Sequence, residues 1–395
     1  MTGTSPPPEP AASLHIEPFS IRVDDGVLSD LRARIRRTRW PVPAPAAPWE
    51  QGTDLPYLRE LLAYWADEFD WRAQEQKLNA LDHFRAEIDG VGIHFIHQRA
   101  ADGQGIPLIL THGWPSSFLE FLPVMPLLTD PAANGVDGPA FDVVIPSLPG
   151  YAFSQRPAHT GVTTRYVAGL WHRLMGGLGY QRYGAHGTDF GAGVATFMAM
   201  DEPGPMLGLH LSNLEFRPYT GPESRPLSEA EQAYVAQVQR WDDVERGYSA
   251  IQSTKPQTVA YGLNDSPAAL AAWMLEKWRS WSDCGGDLEG RFSRDFLLTV
   301  VTLYWVTQTA ATSVRDYFDN RWSLADLARH DYVDLPTGVA VFDHHLVSEG
   351  SPPREWAERL YAIRRWTPMT RGGHFAAAEE PELLARDIAA FFAEL

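Results

Sequence analysis

A glycine-flanked aspartate is the clearest chemical signal in this sequence. Asp189 stands in Gly187-Thr188-Asp189-Phe190-Gly191, between a predicted strand and a helix rich in alanine and glycine. A sharp strand-to-helix turn of this kind exposes a nucleophile and tolerates only small residues two positions before and after it. Because a carboxylate can attack saturated carbon, Asp189 predicts an ester between the protein and its substrate, which water must then cleave. The alternative is that Asp189 only caps the following helix.

Cleavage of such an ester requires a general base and hydrogen-bond donors for the oxyanion. His374, in RGGHF, follows the last predicted strand and precedes the last helix, where this architecture carries its base. The loop His112-Gly113-Trp114-Pro115 follows an earlier strand and can turn a backbone N–H towards the nucleophile. We therefore expect the N–H groups of Trp114 and Phe190 to hold the oxyanion. The alternatives are an ordinary loop histidine and an ordinary strand-end turn.

The composition is that of an acidic globular chain. The 395 residues are 44% hydrophobic and 21% charged, and the formal net charge is −17. A strongly acidic chain binds a phosphate backbone poorly, so nucleic acid is disfavoured as a partner. The lone Cys284 excludes an intrachain disulfide and favours a reducing, cytoplasmic location. No apolar stretch is long enough to cross a bilayer, so we expect no membrane association.

The elements around these residues predict an α/β fold with an inserted cap. From about residue 88, strand-like runs alternate with helical stretches, which is typical of a doubly wound, mostly parallel sheet. Asp89-Gly90 before an alternating run predicts a hairpin, and two earlier helical stretches predict an N-terminal helical arm. The predicted boundaries are 1–14 for a disordered leader, 15–100 for the arm and first hairpin, 101–215 and 313–395 for the two parts of the core, and 216–312 for an aromatic-rich helical cap.

Several motifs together resemble those of the microsomal-type epoxide hydrolases. They extend along nearly the whole chain and are PFSIRVDD, HGWPSSFLEF, IPSLPGYAFS, GTDFG, IQSTKPQT, LNDSPAALAAWMLEKW and RGGHFAAAEEPE. The resemblance implies an α/β-hydrolase fold with a helical cap and an N-terminal arm. It also implies a hydrolase acting on ether bonds, which adds water to an epoxide to give a vicinal diol without a metal or organic cofactor. Because the membrane anchor common in that family is not visible, we expect a soluble bacterial member.

The resemblance also assigns two tyrosines and raises a question about an acid. Tyr248, before IQSTKP, and Tyr317, in RDYFDN, match the cap tyrosines of the family. Phenols with a pKa of about 10 can donate to the epoxide oxygen at neutral pH. The family carries an Asp or Glu shortly after the strand at the PTG motif to orient the base, but His345 occupies that position here. Glu349, in a lengthened loop, is predicted to replace it, and Asp343 is the alternative.

Two other functions stay open from the sequence. A haloalkane dehalogenase shares the Asp-His chemistry but needs halide donors in place of the tyrosines, and a non-catalytic binding protein of the same fold would explain His345. The expected partner is a small-molecule epoxide, apolar and of aromatic or polyketide-like structure, because the cap is rich in aromatic residues. Aromatic hydrocarbon catabolism, detoxification and secondary metabolism are all compatible with this substrate, and a homodimer is left open.

Overall fold

The fold is built on one central sheet. A computed structural model describes residues 14–322 and 327–395, so only the last residue of the predicted leader at 1–14 lies among the described residues. The strands are β1 (Ile16–Pro18), β2 (His83–Ile88), β3 (Val91–Gln98), β4 (Ile106–Thr111), β5 (Phe141–Pro146), β6 (Tyr183–Gly187), β7 (Met206–Leu211), β8 (Val333–Val341) and β9 (Tyr361–Pro368). Within the described residues they form a nine-stranded sheet in the order β1-β2-β3-β5-β4-β6-β7-β8-β9.

The type of strand pairing changes once across this sheet, from antiparallel to parallel. The pairings from β1 to β5 on one side are antiparallel, and those among β5, β4, β6, β7, β8 and β9 are parallel. The turn at Asp89 and Gly90 joins β2 to β3, which confirms the predicted hairpin. The parallel strands alternate with helices along the chain, so the predicted α/β fold with a mostly parallel sheet is confirmed.

The helices form an N-terminal group, a group that connects the strands, and a cap. They are α1 (Asp25–Arg36), α2 (Leu55–Asp67), α3 (Trp71–Leu78), α4 (Met125–Thr129), α5 (Thr164–Gly177), α6 (Phe190–Asp201), α7 (Glu229–Glu245), α8 (Gly247–Thr254), α9 (Pro256–Asp265), α10 (Pro267–Ser280), α11 (Leu288–Arg291), α12 (Arg294–Thr307), α13 (Ala310–Asn320), α14 (Arg354–Ala357), α15 (Ala376–Glu379) and α16 (Pro381–Phe392). A short 3-10 helix, Phe118–Phe121, follows β4. The cap consists of α7 to α13, and the predicted cap boundary at 312 falls inside α13 because that helix continues to Asn320.

The sheet order places the predicted catalytic loops at one edge. β4 and β6 are neighbours, with Thr111 opposite Gly187, although β5 lies between them along the chain. β5 therefore lies on one side of β4 and β6 lies on the other. Such a position is a topological switch point, and open α/β sheets bind ligands there, beyond the carboxyl ends of their strands. The loops after β4, β6, β7, β8 and β9 meet at this edge.

The N-terminal helices pack against the cap. The Trp65 indole N–H donates to the hydroxyl of Thr302 at 2.9 Å, and both side chains are buried. At the surface, Arg34 of α1 forms an ion pair with Asp265 of α9 at 2.6 Å. The arm thus holds the cap at both buried and exposed points.

The helices and the metal-binding side-chain types of the described residues bear on membrane and metal binding. No single helix in 14–322 or 327–395 is long and apolar enough to span a membrane, although α12 and α13 together, bent by 88°, reach the length and composition required. The same residues contain no group of three or more His, Cys, Asp or Glu side chains arranged to hold a metal ion. Cys284 is a free thiol.

Candidate active site

Asp189 lies at the apex of a sharp turn between β6 and α6. Its backbone angles, φ 51° and ψ −131°, are unusual for a residue with a side chain and indicate stored strain. A Cβ atom on Gly187 would lie 2.2 Å from the carbonyl oxygen of Gly191, and one on Gly191 would lie 1.9 Å from that of Thr111. The two glycines therefore permit the close approach of strand and helix that exposes the aspartate.

Backbone donors fix one carboxylate oxygen of Asp189. Its Oδ1 accepts hydrogen bonds from the N–H of Trp114 at 2.9 Å and of Phe190 at 2.7 Å, the two groups expected from the sequence. The Asp189 N–H in turn donates to Oδ1 of Asn213 at 2.7 Å. Asn213 follows β7 and was missed by the sequence analysis, where its only signal is its place after a strand. Oδ2 is left to face the other side of the site.

Gly113 leaves the room that this arrangement needs. A Cβ atom at Gly113 would lie 2.0 Å from Oδ1 of Asp189. We expect Gly113→Ala to push the carboxylate off its donors and to lower kcat for an epoxide about 100-fold, the usual effect of losing one oxyanion donor. The matched control is Gly176→Ala at an exposed position of α5, where a Cβ meets nothing within 4 Å. Equal kcat values for the two variants, at comparable Tm, would contradict this expectation.

His374 faces the second oxygen of the Asp189 carboxylate. Its Nε2 lies 3.4 Å from Oδ2 of Asp189, and its backbone N–H donates to the carbonyl of Trp281 at 2.8 Å. Burial lowers the pKa of His374, but the hydrogen bond to Asp189 and the charge of that carboxylate outweigh burial and raise the pKa to about 9. At neutral pH the resting site therefore holds an imidazolium beside a carboxylate.

A buried carboxylate holds the loop that carries this histidine. Glu379 accepts hydrogen bonds from the N–H of Gly373 and of Phe375, both at 3.0 Å. It also accepts from the N–H of Asp283, just beyond the end of α10, at 2.8 Å. Glu379 was not predicted from the sequence, where its signal is its position in the same RGGHFAAAEEPE motif, five residues after His374.

The position expected to hold the orienting acid is occupied by a neutral histidine. The ring centroid of His345 lies 6.1 Å from that of His374, and its Nε2 is 3.2 Å from the carbonyl of Phe342. Burial and the charge of His374 lower the pKa of His345 to about 3. A neutral imidazole brings no negative charge to an imidazolium, so the orienting acid must be another residue. Glu349 and Asp343 both line a cavity of about 40 Å³ that His374 also lines.

Of these two carboxyls, Glu349 stays the predicted orienting group. Burial raises the pKa of Glu349, and the charge of His374 opposes that rise. Asp343 instead lies beside the neighbouring His344, with Oδ1 at 3.7 Å from Nε2.

We expect Glu349→Gln to slow hydrolysis of the ester about 100-fold while its formation changes little, because an unoriented imidazole is a weaker base. Asp343→Asn, the matched control, should change both rates less than about threefold. Rapid-quench kinetics separates the two steps. The assignment fails if Asp343→Asn is the variant that accumulates ester.

Two cap tyrosines face the oxyanion loop. The ring of Tyr248, in α8, stacks on the Trp114 indole with centroids 5.4 Å apart and planes within 7°. The ring of Tyr317, in α13, meets the same indole edge-on at 5.6 Å. The two phenol rings lie edge-on to each other, with their centroids 5.6 Å apart. Burial raises the pKa of both well above the usual value, so both are proton donors at neutral pH.

Family models match both parts of this architecture. A model described as epoxide hydrolase N terminus matches residues 16–121, and one described as alpha/beta hydrolase fold matches residues 106–281. The first begins at β1 and ends after the oxyanion loop, and the second runs from β4 into the cap. The arm and the core are thus both recognised.

Proteins that are similar along most of their length also indicate an epoxide hydrolase. A protein of Stigmatella aurantiaca, called an epoxide hydrolase in its name, is 42% identical over 385 residues, which cover 96% of this chain and 85% of that protein. Epoxide hydrolase 1 of Sus scrofa is 37% identical, covering 97% and 90%. The crystal structure of juvenile hormone epoxide hydrolase from the silkworm Bombyx mori matches with a TM-score of 0.87 at 30% identity, covering 96% and 95%. The chain therefore belongs to the microsomal-type epoxide hydrolase family, a family of hydrolases that act on epoxides.

Proposed function

We propose that this protein hydrolyses an apolar epoxide to a vicinal diol through a covalent ester on Asp189. One observation carries the proposal: the two oxygens of the Asp189 carboxylate have different environments. Oδ1 is held by two backbone N–H groups, and Oδ2 lies 3.4 Å from Nε2 of His374. This geometry suits a nucleophile that becomes an ester and is then released by water activated at the histidine.

In the first step, Oδ2 of Asp189 attacks an epoxide carbon and the bond from that carbon to the ring oxygen breaks. The ring oxygen takes a proton from a phenol, that of Tyr248 or Tyr317, as its negative charge develops. The product is an ester of Asp189 that carries the new hydroxyl on the adjacent carbon.

Ester formation changes the charge that His374 experiences. The carboxylate that raises the pKa of His374 to about 9 has become neutral, so the imidazolium loses its proton more readily, and the phenolate regains one. Neutral His374 then removes a proton from water, whose oxygen attacks the carbonyl carbon of the ester. The N–H groups of Trp114 and Phe190 hold the negative charge on Oδ1. The bond from the carbonyl carbon to Oδ2 breaks, and Oδ2 leaves as a hydroxyl of the diol after taking the hydroxyl proton of the tetrahedral intermediate. The imidazolium–carboxylate pair is thereby restored.

The walls of the site support an apolar substrate. Trp281 lies edge-on to Tyr248 with ring centroids 5.2 Å apart, and Phe190 lies edge-on to Tyr317 at 4.9 Å. Together with Trp114 they surround the nucleophile with aromatic surface. Such a lining favours a flat or extended apolar epoxide over a charged one, in keeping with an aromatic or polyketide-like substrate.

A single turnover in H₂¹⁸O tests the ester mechanism. Excess enzyme is mixed with styrene oxide, and both the diol and the peptide that contains Asp189 are analysed by mass spectrometry. We expect the label in the peptide and none in the first diol, because the diol takes its second oxygen from the carboxylate. Enzyme kept in the labelled water without epoxide is the control. Label in the first diol would show direct attack by water and overturn the mechanism.

A parallel assay tests the function itself. Halide release from a chloroalkane without diol formation from epoxides would overturn the proposed function.

A further inference from the structure

A buried lysine lies in the cap beside the catalytic tyrosines. Lys277, in α10, is only 6% exposed. Its Nζ pairs with Oε2 of Glu245 at 2.9 Å and with Oε2 of Glu276 at 2.7 Å. Lysine is rarely buried unless it is paired, because removing the ammonium from water is costly. The two carboxylates offset that cost but do not explain why a cation is needed at this point, and no step proposed above uses it.

The lysine cation lies over the ring of Tyr248, one of the two tyrosines proposed above to protonate the epoxide oxygen. Nζ of Lys277 is 5.0 Å from the ring centroid of Tyr248 and 5.7 Å from that of Trp281. Both distances are within the reach of a cation–π interaction, which strengthens where water is excluded. The same Tyr248 ring stacks on Trp114, so aromatic groups and one cation enclose it.

The ion pair also anchors the segment that leads into Tyr248. Glu245 is the last residue of α7, and Tyr248 is the second residue of α8. The bond from Lys277 to Glu245 therefore ties α10 to the chain only three residues before the tyrosine. Lys277 is therefore linked to Tyr248 in two ways, by its contact with the ring and by its ion pair with Glu245.

We propose that Lys277 is a positioning residue that acts through Tyr248: its ammonium draws electron density from the ring and strengthens the phenol O–H as a donor to the epoxide oxygen. The proposal rests on the function proposed above. A phenol that shares its proton with the opening epoxide gains negative charge, and a nearby cation stabilises that charge. The effect belongs to ester formation, because ester hydrolysis depends on His374 and the backbone donors instead.

The first test removes the charge and keeps the length of the side chain. In Lys277→Met we expect the rate constant of ester formation to fall about tenfold, equivalent to about 1.4 kcal/mol, and that of ester hydrolysis to change less than about twofold. Lys277→Arg should stay near wild type, since a guanidinium also binds over aromatic rings. Lys77→Met, at an exposed position in α3, is the control for loss of one positive charge. Stopped-flow tryptophan fluorescence with styrene oxide gives both rate constants, because Trp114 and Trp281 contact Tyr248.

A double-mutant cycle separates this role from support of the cap. In a Tyr248→Phe background there is no phenol proton to strengthen, so adding Lys277→Met should cost less than about twofold more. An equal tenfold loss in both backgrounds would show that Lys277 merely holds the cap together, which overturns the proposal. If Lys277→Met does not yield folded protein, Lys277→Gln carries the same expectations.

The same stopped-flow traces distinguish failure of the role of Lys277 from failure of the proposed function. Absence of any ester in wild-type protein would overturn the proposed function and with it the role of Lys277. An ester that forms equally fast in wild type and Lys277→Met would overturn only the role of Lys277.

Discussion

Asp189→Asn is expected to reduce diol formation by about 10⁴-fold or more, because an amide is a far poorer nucleophile than a carboxylate. Loss of the carboxylate charge should also lower the pKa of His374 from about 9, since the contact with Asp189 is what raises it. Diol is measured by chromatography and the pKa of His374 by NMR titration. A fall in both quantities in a folded variant would assign the loss to chemistry and not to structure.

The asparagine is well suited to this test because it keeps the local structure. Asparagine tolerates the positive φ of 51° at this position, and its side-chain oxygen can still accept from the N–H groups of Trp114 and Phe190. Asp243→Asn, at an exposed position of α7, is the matched control and should leave turnover unchanged. Diol formation by Asp189→Asn within a few-fold of wild type would exclude Asp189 as the nucleophile.

His374→Gln is expected to separate the two half-reactions. The nucleophile and its backbone donors stay in place, so the ester should still form, but water then lacks its base and hydrolysis should slow about 10³-fold. The ester accumulates as a mass increase equal to one substrate molecule. Digestion should place that mass on the peptide that contains Asp189.

A second histidine, His344, provides the control for this variant. His344 is exposed and contacts the carbonyl of Met369 through Nε2 at 3.0 Å, so His344→Gln should turn over normally and carry no added mass. Absence of the adduct from His374→Gln, together with wild-type diol formation, would show that another group activates water.

The residues that could be predicted from the sequence are those at which the local backbone geometry allows only certain residue types. Gly187 and Gly191 could be recognised in the sequence as part of a sharp turn, because a Cβ atom at either position would collide with backbone oxygens. The hairpin at Asp89 and Gly90 is readable for a similar reason, since both residues have positive φ. Such constraints act within a few residues of chain, so periodicity and glycine placement reveal them.

Residues whose roles depend on contacts between distant elements were harder to find. Glu379 and Asp283 are 96 residues apart, and Lys277 reaches a ring on another cap helix. No local pattern encodes such distances, because they follow from how the cap packs on the sheet. The loop with His345 and Glu349 was difficult to predict for the same reason. The spacing along the chain shows only that the expected acid is missing. Which side chain of the inserted loop can reach His374 depends on how that loop folds.

The carboxylate of Glu379 adds three hydrogen bonds to the contact between the loop that carries His374 and the end of α10. Because it binds amides on both sides of His374 and the amide of Asp283 just after α10, the base-bearing loop and this end of the cap share one set of protected hydrogens. Local opening of either part frees the amides of the other, so the two are expected to loosen as a single cooperative unit. A cap movement large enough to break these bonds would also release the loop that carries His374. We therefore expect cap movements that keep His374 in place to be confined to parts of the cap away from Glu379.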